Sequence, residues 1–312
     1  MLINRCFFVL VSLTSLSTAQ TITETFGTGA NAFSIEFVQI GNPGNVADAN
    51  GNPNPAGSVS YKYWIGQYEI SREMVEKANN QTGVGITLAD LTGYGGNSPN
   101  RPATGITWYE AAKFVNYLNV SNGSQAAYKF DQNGNLQFWT SSDSGYDSTN
   151  LLRNSLAKFV LPSSDEWYKS AYGSPSGAWY KYANGTDITP DSVYSGLSGL
   201  VYGKDIYYWI GPADITNAGE SSPWGTMAQD GNAWEWMETA YDGVNDSLSE
   251  VGVIRGGSWW TGNIGSEKRD APQRESDYND IGFRVAMVPE PTSLSLLAIG
   301  LGGLAVVRRR RS

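Results

Sequence analysis

Apolar and polar positions along this chain change period often, and no single period lasts long. "FSIEFVQI" (33–40) is rich in aromatic and β-branched residues and predicts a strand. "VSYKYWIGQYEI" (59–70) predicts a second strand region. The glycine-, asparagine- and proline-rich stretch between them, 41–58, predicts a surface loop. Helices are few. Ser71 opens "SREMVEKANNQT", which stops at Gly83. Thr107 caps "TWYEAAKFVNYLN", in which Trp108, Ala111, Val115 and Leu118 share one face. Ser163 and Glu166 form a capping box just after Pro162. "YKFDQNGNLQFW" (128–139) alternates around Asn133-Gly134 and predicts a hairpin. Its Asp and Asn residues do not complete an EF-hand spacing, so a plain turn is expected. The rest is irregular, with 11 Trp, 18 Tyr and 36 Gly. Such a composition suits loops pinned by aromatic side chains.

Both ends carry addresses. Residues 1–19 place Arg5 before an apolar run from Cys6 to Leu16 and end Ser17-Thr18-Ala19. This is the pattern of a signal peptide removed by signal peptidase, and the run is short for a bilayer span. The other end reads Val288-Pro289-Glu290-Pro291, then a mainly apolar stretch, then Arg308 to Arg311. The arginines would keep the tail's end cytoplasmic and the apolar stretch as a short transmembrane segment. The tail resembles the PEP-CTERM sorting signal. That resemblance implies exosortase processing, transient membrane anchoring, and export to the surface or extracellular matrix of a Gram-negative bacterium. The chain then divides into 1–19, a body at 20–288, and a sorting tail at 289–312.

Charge and missing residue types narrow the chemistry. The whole chain carries a net charge of −9. Without its two ends it keeps 16 basic against 29 acidic residues, a net charge of −13. Nucleic acid is therefore not an expected partner, nor is an anionic lipid surface. The only cysteine is Cys6, and there is no histidine. Disulfides, cysteine nucleophiles and histidine bases are excluded from the body. Copper, zinc and iron are not expected, since their sites lean on thiolate or imidazole. A bound metal would be a hard cation on oxygen ligands, such as calcium.

Four segments then line up: "RPATGITWYEAAKFVNYLN" (101–119), "FVLPSSDEWYKSAY" (159–172), "SSPWGTMAQDGNAWEWMET" (221–239) and "VIRGGSWW" (253–260), the last followed by Arg269, Arg274 and "IGFRVA". Together they resemble the sulfatase-modifying factor family, named for the formylglycine-generating enzyme, over roughly 33–287. The resemblance implies an α+β fold: a single compact, loop-rich, C-type-lectin-like domain with few helices and short antiparallel strands. Trp234, Trp236 and Trp259 are expected in the core. Arg255 and Arg284 are expected to pair with buried acids or carbonyls.

The same resemblance implies two redox-active cysteines at positions that here are Thr261 and Ser266. A hydroxyl cannot replace a thiolate as a soft ligand or redox centre, and the histidine-iron route of a related branch is closed as well. A family calcium site would fall on the carbonyls of Gly231 and Ala233 and the carboxylate of Glu235. A further ligand position falls on Ala228 and is lost, and Asp230 lies nearby. Unpaired burial of Glu235 would be costly, so it must meet either an arginine or a cation. Three functions compete: a noncatalytic binding module for a surface ligand or extracellular polysaccharide, with Trp260 and Asp270 as contact candidates; a structural matrix protein without a defined ligand; and an enzyme of different chemistry.

Overall fold

The computed structural model describes residues 20–82, 84–203 and 210–289. The signal-like segment 1–19 and the apolar tail lie outside the described residues. Among the described residues, no helix is long and apolar enough to cross a membrane.

The chain opens with strands β1 (Thr21–Phe26), β2 (Phe33–Ile40) and β3 (Tyr63–Gly66). Helix α1 (Arg72–Thr82) follows, then α2 (Trp108–Ser121). A short hairpin, β4 (Lys129–Phe130) and β5 (Leu136–Gln137), precedes β6 (Phe159–Val160) and α3 (Ser164–Tyr172). Four short strands close the body: β7 (Trp234–Trp236), β8 (Ile254–Arg255), β9 (Ile281–Gly282) and β10 (Ala286–Met287). The main sheet has the order β1-β2-β3-β10-β6 and is antiparallel throughout. A second sheet has the order β8-β7-β9, with β7 and β8 antiparallel and β7 and β9 parallel.

Helix starts follow local chemistry. The Thr107 hydroxyl accepts from Glu110 N at 3.1 Å while Glu110 Oε2 accepts from Thr107 N at 2.9 Å. Ser163 and Glu166 do the same for α3, at 3.2 and 2.6 Å. The predicted face of α2 is fully buried at Trp108, Ala111, Val115 and Leu118. The turn at 131–135 is held by Asp131 Oδ1, which accepts from Asn133 N and Asn135 N.

One strand expectation narrows, and one strand had no expectation behind it. The region 59–70 is a strand only over Tyr63–Gly66; one further bond, Gln67 N to Glu36 O, continues the register before Ile70 N turns to Phe283 O. The polar "TITETF" run forms β1 and pairs along its length with β2; its alternation is of exposed and half-buried positions, so apolar pattern does not reveal it.

Aromatic rings join the helices to the main sheet. Phe37 of β2 lies 5.8 Å from Phe159 of β6, and Phe114 of α2 lies 6.0 Å from Phe33 and 5.4 Å from Phe283. One polar side chain sits inside this layer. Buried Asn119 donates to Val115 O and Phe159 O and accepts from Lys158 N and Phe159 N. Asn119→Leu keeps the branched shape but strands several buried backbone groups. Each such group costs about 1–3 kcal/mol, so urea denaturation should show a loss of roughly 3 kcal/mol or more. Thr107→Ala, the loss of one cap, should cost about 1 kcal/mol.

Candidate functional site

Strand β7 runs through the centre of the second sheet, and its alternation sets the site. Trp236 points one way and donates its indole N–H to Ile106 O at 2.7 Å. Glu235 points the other way, fully buried. Its Oε2 accepts from Arg284 Nε and Trp167 Nε1, each at 2.6 Å, and its Oε1 accepts from Arg284 Nη2 at 2.6 Å. Arg284 spends its remaining donors on Gly66 O and Met227 O. A second buried carboxylate, Glu69, accepts from Asn232 Nδ2 at 2.6 Å and Ala233 N at 3.0 Å. Burial first, and then the Glu235 charge, hold the Glu69 carboxyl well above the usual carboxylate range.

The cation that meets Glu235 is thus the guanidinium of Arg284. A calcium ion held there with the Gly231 and Ala233 carbonyls would share this carboxylate with Arg284 and the Trp167 indole N–H. Asn232, between those two residues, is left-handed at φ 59° and accepts from Ala213 N through Oδ1. Ala228 is also left-handed, at φ 63°.

After β8 the chain must turn tightly. Gly256 and Gly257 take φ 98° and 73°, and a Cβ on Gly257 would lie 2.6 Å from Asn263 O. Ser258 Oγ donates to Asp280 Oδ2 at 2.7 Å and accepts from the backbone of Trp260 and Thr261. Trp259 is buried beside Leu91, Val201 and Met227. Trp260 is 42% exposed, its ring 5.5 Å from that of Tyr94. Thr261 therefore belongs to a turn organised by Ser258.

Ser266 lies on the far side of that turn, buried, with its N–H donating to Lys181 O at 2.8 Å. Asp230 fixes this position. It accepts from Gly265 N at 2.9 Å, Ala183 N at 2.8 Å and Tyr172 Oη at 2.7 Å. Burial outweighs those donors and pushes its carboxyl up to about 7. Asp270 is exposed at the edge of β8; its backbone pairs both ways with Ile254 and its side chain accepts from Ala271 N. Arg255 bonds Ser164 Oγ and Asn52 O and lies 5.2 Å over the Tyr168 ring. Both arginines were expected to meet buried acids or carbonyls: Arg255 meets a carbonyl and a hydroxyl, and Arg284 an acid and carbonyls.

Beside Ser266 opens a cleft of about 350 Å³, lined by Asp48, Trp179, Tyr180, Lys181, Asp187 and Glu267. Trp179 packs 5.6 Å from Tyr168 and donates to Val46 O. Asp48 accepts from Tyr168 Oη at 2.7 Å and Asn50 N at 2.9 Å. Asp187 Oδ1 accepts from Lys181 N, which leaves Oδ2 for other donors. Sequence reasoning marked only Ser266 here. Residue 48 comes from the loop after β2, and 179 and 187 from the long segment after α3; together they form no motif.

Residues 31–288 match the sulfatase-modifying factor enzyme 1-like domain. The chain belongs to that family. Residues 288–311 match the PEP-CTERM protein-sorting motif. No curated protein matches. Among solved structures, the Treponema denticola variable protein 1 is 19% identical, covers 86% of this chain and 99% of its own, and has a TM-score of 0.59. CarF is 17% identical over 82% and 98%, with a TM-score of 0.58. PvdO from Pseudomonas aeruginosa is 15% identical over 85% and 98%, with a TM-score of 0.54. The fold is the formylglycine-generating-enzyme-like, C-type-lectin-like one. In this sulfatase-modifying-factor-like body, hydroxyls stand at both positions where the resemblance places thiols.

Two outcomes follow. Glu235→Gln leaves a buried guanidinium without its counter-charge, a change that costs about 3–5 kcal/mol. Melting should show the same loss with calcium and with chelator; a loss seen only with calcium would make Glu235 a metal ligand. Asp230 supplies a pH dependence. Its folded value lies above the ordinary 3.8, so the folded state favours the proton. The stability this group contributes is present below about pH 4 and is lost as pH rises through about 7. Between pH 5 and 8 the wild type should lose roughly 2–3 kcal/mol more than Asp230→Asn in denaturant titrations.

Proposed function

We propose that this exported sulfatase-modifying-factor-like protein is a noncatalytic binding module and that its ligand is an extracellular polysaccharide. The observation that carries the reading is the cleft beside Ser266. An indole and a phenol ring offer faces for sugar C–H groups. Asp187, Glu267, Asn50 and Lys181 offer acceptors and donors for hydroxyls. The hydroxyl of Ser266 replaces the thiol that oxygen chemistry would need. The sorting tail supports a site of action at the cell envelope, and we extend this to the surface or matrix of a Gram-negative cell, with residues 1–19 removed on the way.

A second contact surface is the exposed Trp260 with Tyr94. The two surfaces separate by mutation. On a glycan array followed by calorimetry, Trp179→Ala and Asp187→Ala should each weaken binding at least about tenfold, the scale of one lost stacking or charge-assisted contact. Trp260→Ala should leave binding within about twofold. The reverse pattern moves the site to Trp260, and no binding to any glycan leaves a structural matrix role. The same preparation, given copper, a thiol reductant and a cysteine peptide, should form no aldehyde above a no-enzyme blank.

A further inference from the structure

A second cavity lies away from the Ser266 cleft. It is a groove of about 510 Å³ between the end of β1, the end of α1 and the last turns of α2, with Gly27, Val84, Lys113, Tyr117 and Val120 among its walls. Its character is apolar. Val120 is 66% exposed although it sits inside an amphipathic helix. Val84 packs against the main core, and the Tyr117 ring lies 6.2 Å from both Phe33 and Phe114. Gly27 holds the near wall close: a Cβ there would lie 2.2 Å from Gln81 Nε2.

The described chain ends beside this groove. Val288 N donates to Lys158 O at 3.0 Å. Lys158 Nζ bonds Glu24 Oε1 of β1 at 2.9 Å and meets Asn122 Oδ1, at the end of α2, at 3.5 Å. Ser121, the residue before Asn122, is itself a groove wall. One lysine side chain therefore links the exit of the chain to the groove. Beyond Pro289 come Glu290, Pro291, Thr292 and Ser293, then the apolar run from Leu294 to Val307. Four residues can span up to about 13 Å, the scale of the lysine link between the chain's exit and the groove's rim.

We propose that the groove holds the N-terminal part of this chain's own apolar sorting segment, near Leu294–Leu301, whenever that segment is not in a membrane. The attachment makes docking intramolecular, with an effective concentration in the millimolar range that a second copy in dilute solution does not reach. Docking removes both exposed apolar surfaces from water at once. It shelters the tail of the unprocessed chain and frees it when a bilayer competes.

The body's lack of cysteine makes the test direct. The full chain with Cys6→Ser is made by cell-free translation without membranes, so neither bilayer nor processing enzyme acts on it. Val120→Cys is paired with Ala298→Cys; Ile188→Cys, at a 78% exposed position on a different loop, is paired with the same tail cysteine as control. Under mild oxidation, mass spectrometry should find an internal disulfide in the Val120 pair at least ten times as abundant as in the control. Phospholipid vesicles added before oxidation should remove it. Melting of the Val120→Cys single variant at the parent's temperature confirms that the fold is intact. Equal internal cross-linking in both pairs overturns the proposal. So does cross-linking only between chains, which would make the groove a face for a second copy, and so does a disulfide that vesicles leave unchanged.

Discussion

The buried pair of Glu235 and Arg284 is the constraint on which the rest of the second sheet depends. A lone carboxylate there would be untenable, and a guanidinium without it equally so. Paired bidentately and bonded to Trp167, Gly66 and Met227, they join β7, α3, the end of β3 and the loop before the Gly-Asn-Ala-Trp run. Glu69 adds a second carboxylate that holds Asn232 and Ala233 in place. Regular structure is sparse here, so such polar clasps do what long ladders do elsewhere. Arg153, between Glu166 and Glu238, is another clasp of the same kind, at 3.3 and 2.7 Å.

These clasps leave the surface loops free to change chemistry. The turn from Gly256 to Ser266 is fixed from below by Gly256, Ser258 and Asp230, with the Thr261 hydroxyl 3.4 Å from that of Ser258. Both positions carry hydroxyls where the resemblance to the formylglycine-generating enzyme places thiols. Ser266 then becomes one wall of a polar, aromatic-sided cleft.

Much of the frame was legible in the residues. The caps at Thr107 and Ser163 and the buried face of α2 follow from local pattern, whereas the two- and three-residue strands at Trp234 and Arg255 are too short to carry one. The partner of Glu235 was legible as a choice between arginine and cation, because the cost of unpaired burial is general; the arginine that meets it lies 49 positions away. Strand β1 was not legible, because an edge strand of threonines carries little apolar signal. The cleft was not legible because its walls come from loops at 48, 179, 187 and 266 that only tertiary folding brings together. Trp260 and Asp270, expected as an aromatic and a carboxylate contact, are both exposed, one against Tyr94 and the other at the edge of β8.

A crystal structure of residues 20–289 grown with an oligosaccharide from the producing cell's own matrix tests the central claim most directly. The account predicts sugar density stacked on Trp179 with a hydroxyl within hydrogen-bond distance of Asp187 Oδ2. Density on Trp260 and Tyr94 instead, or an unchanged cleft at saturating sugar, would contradict it.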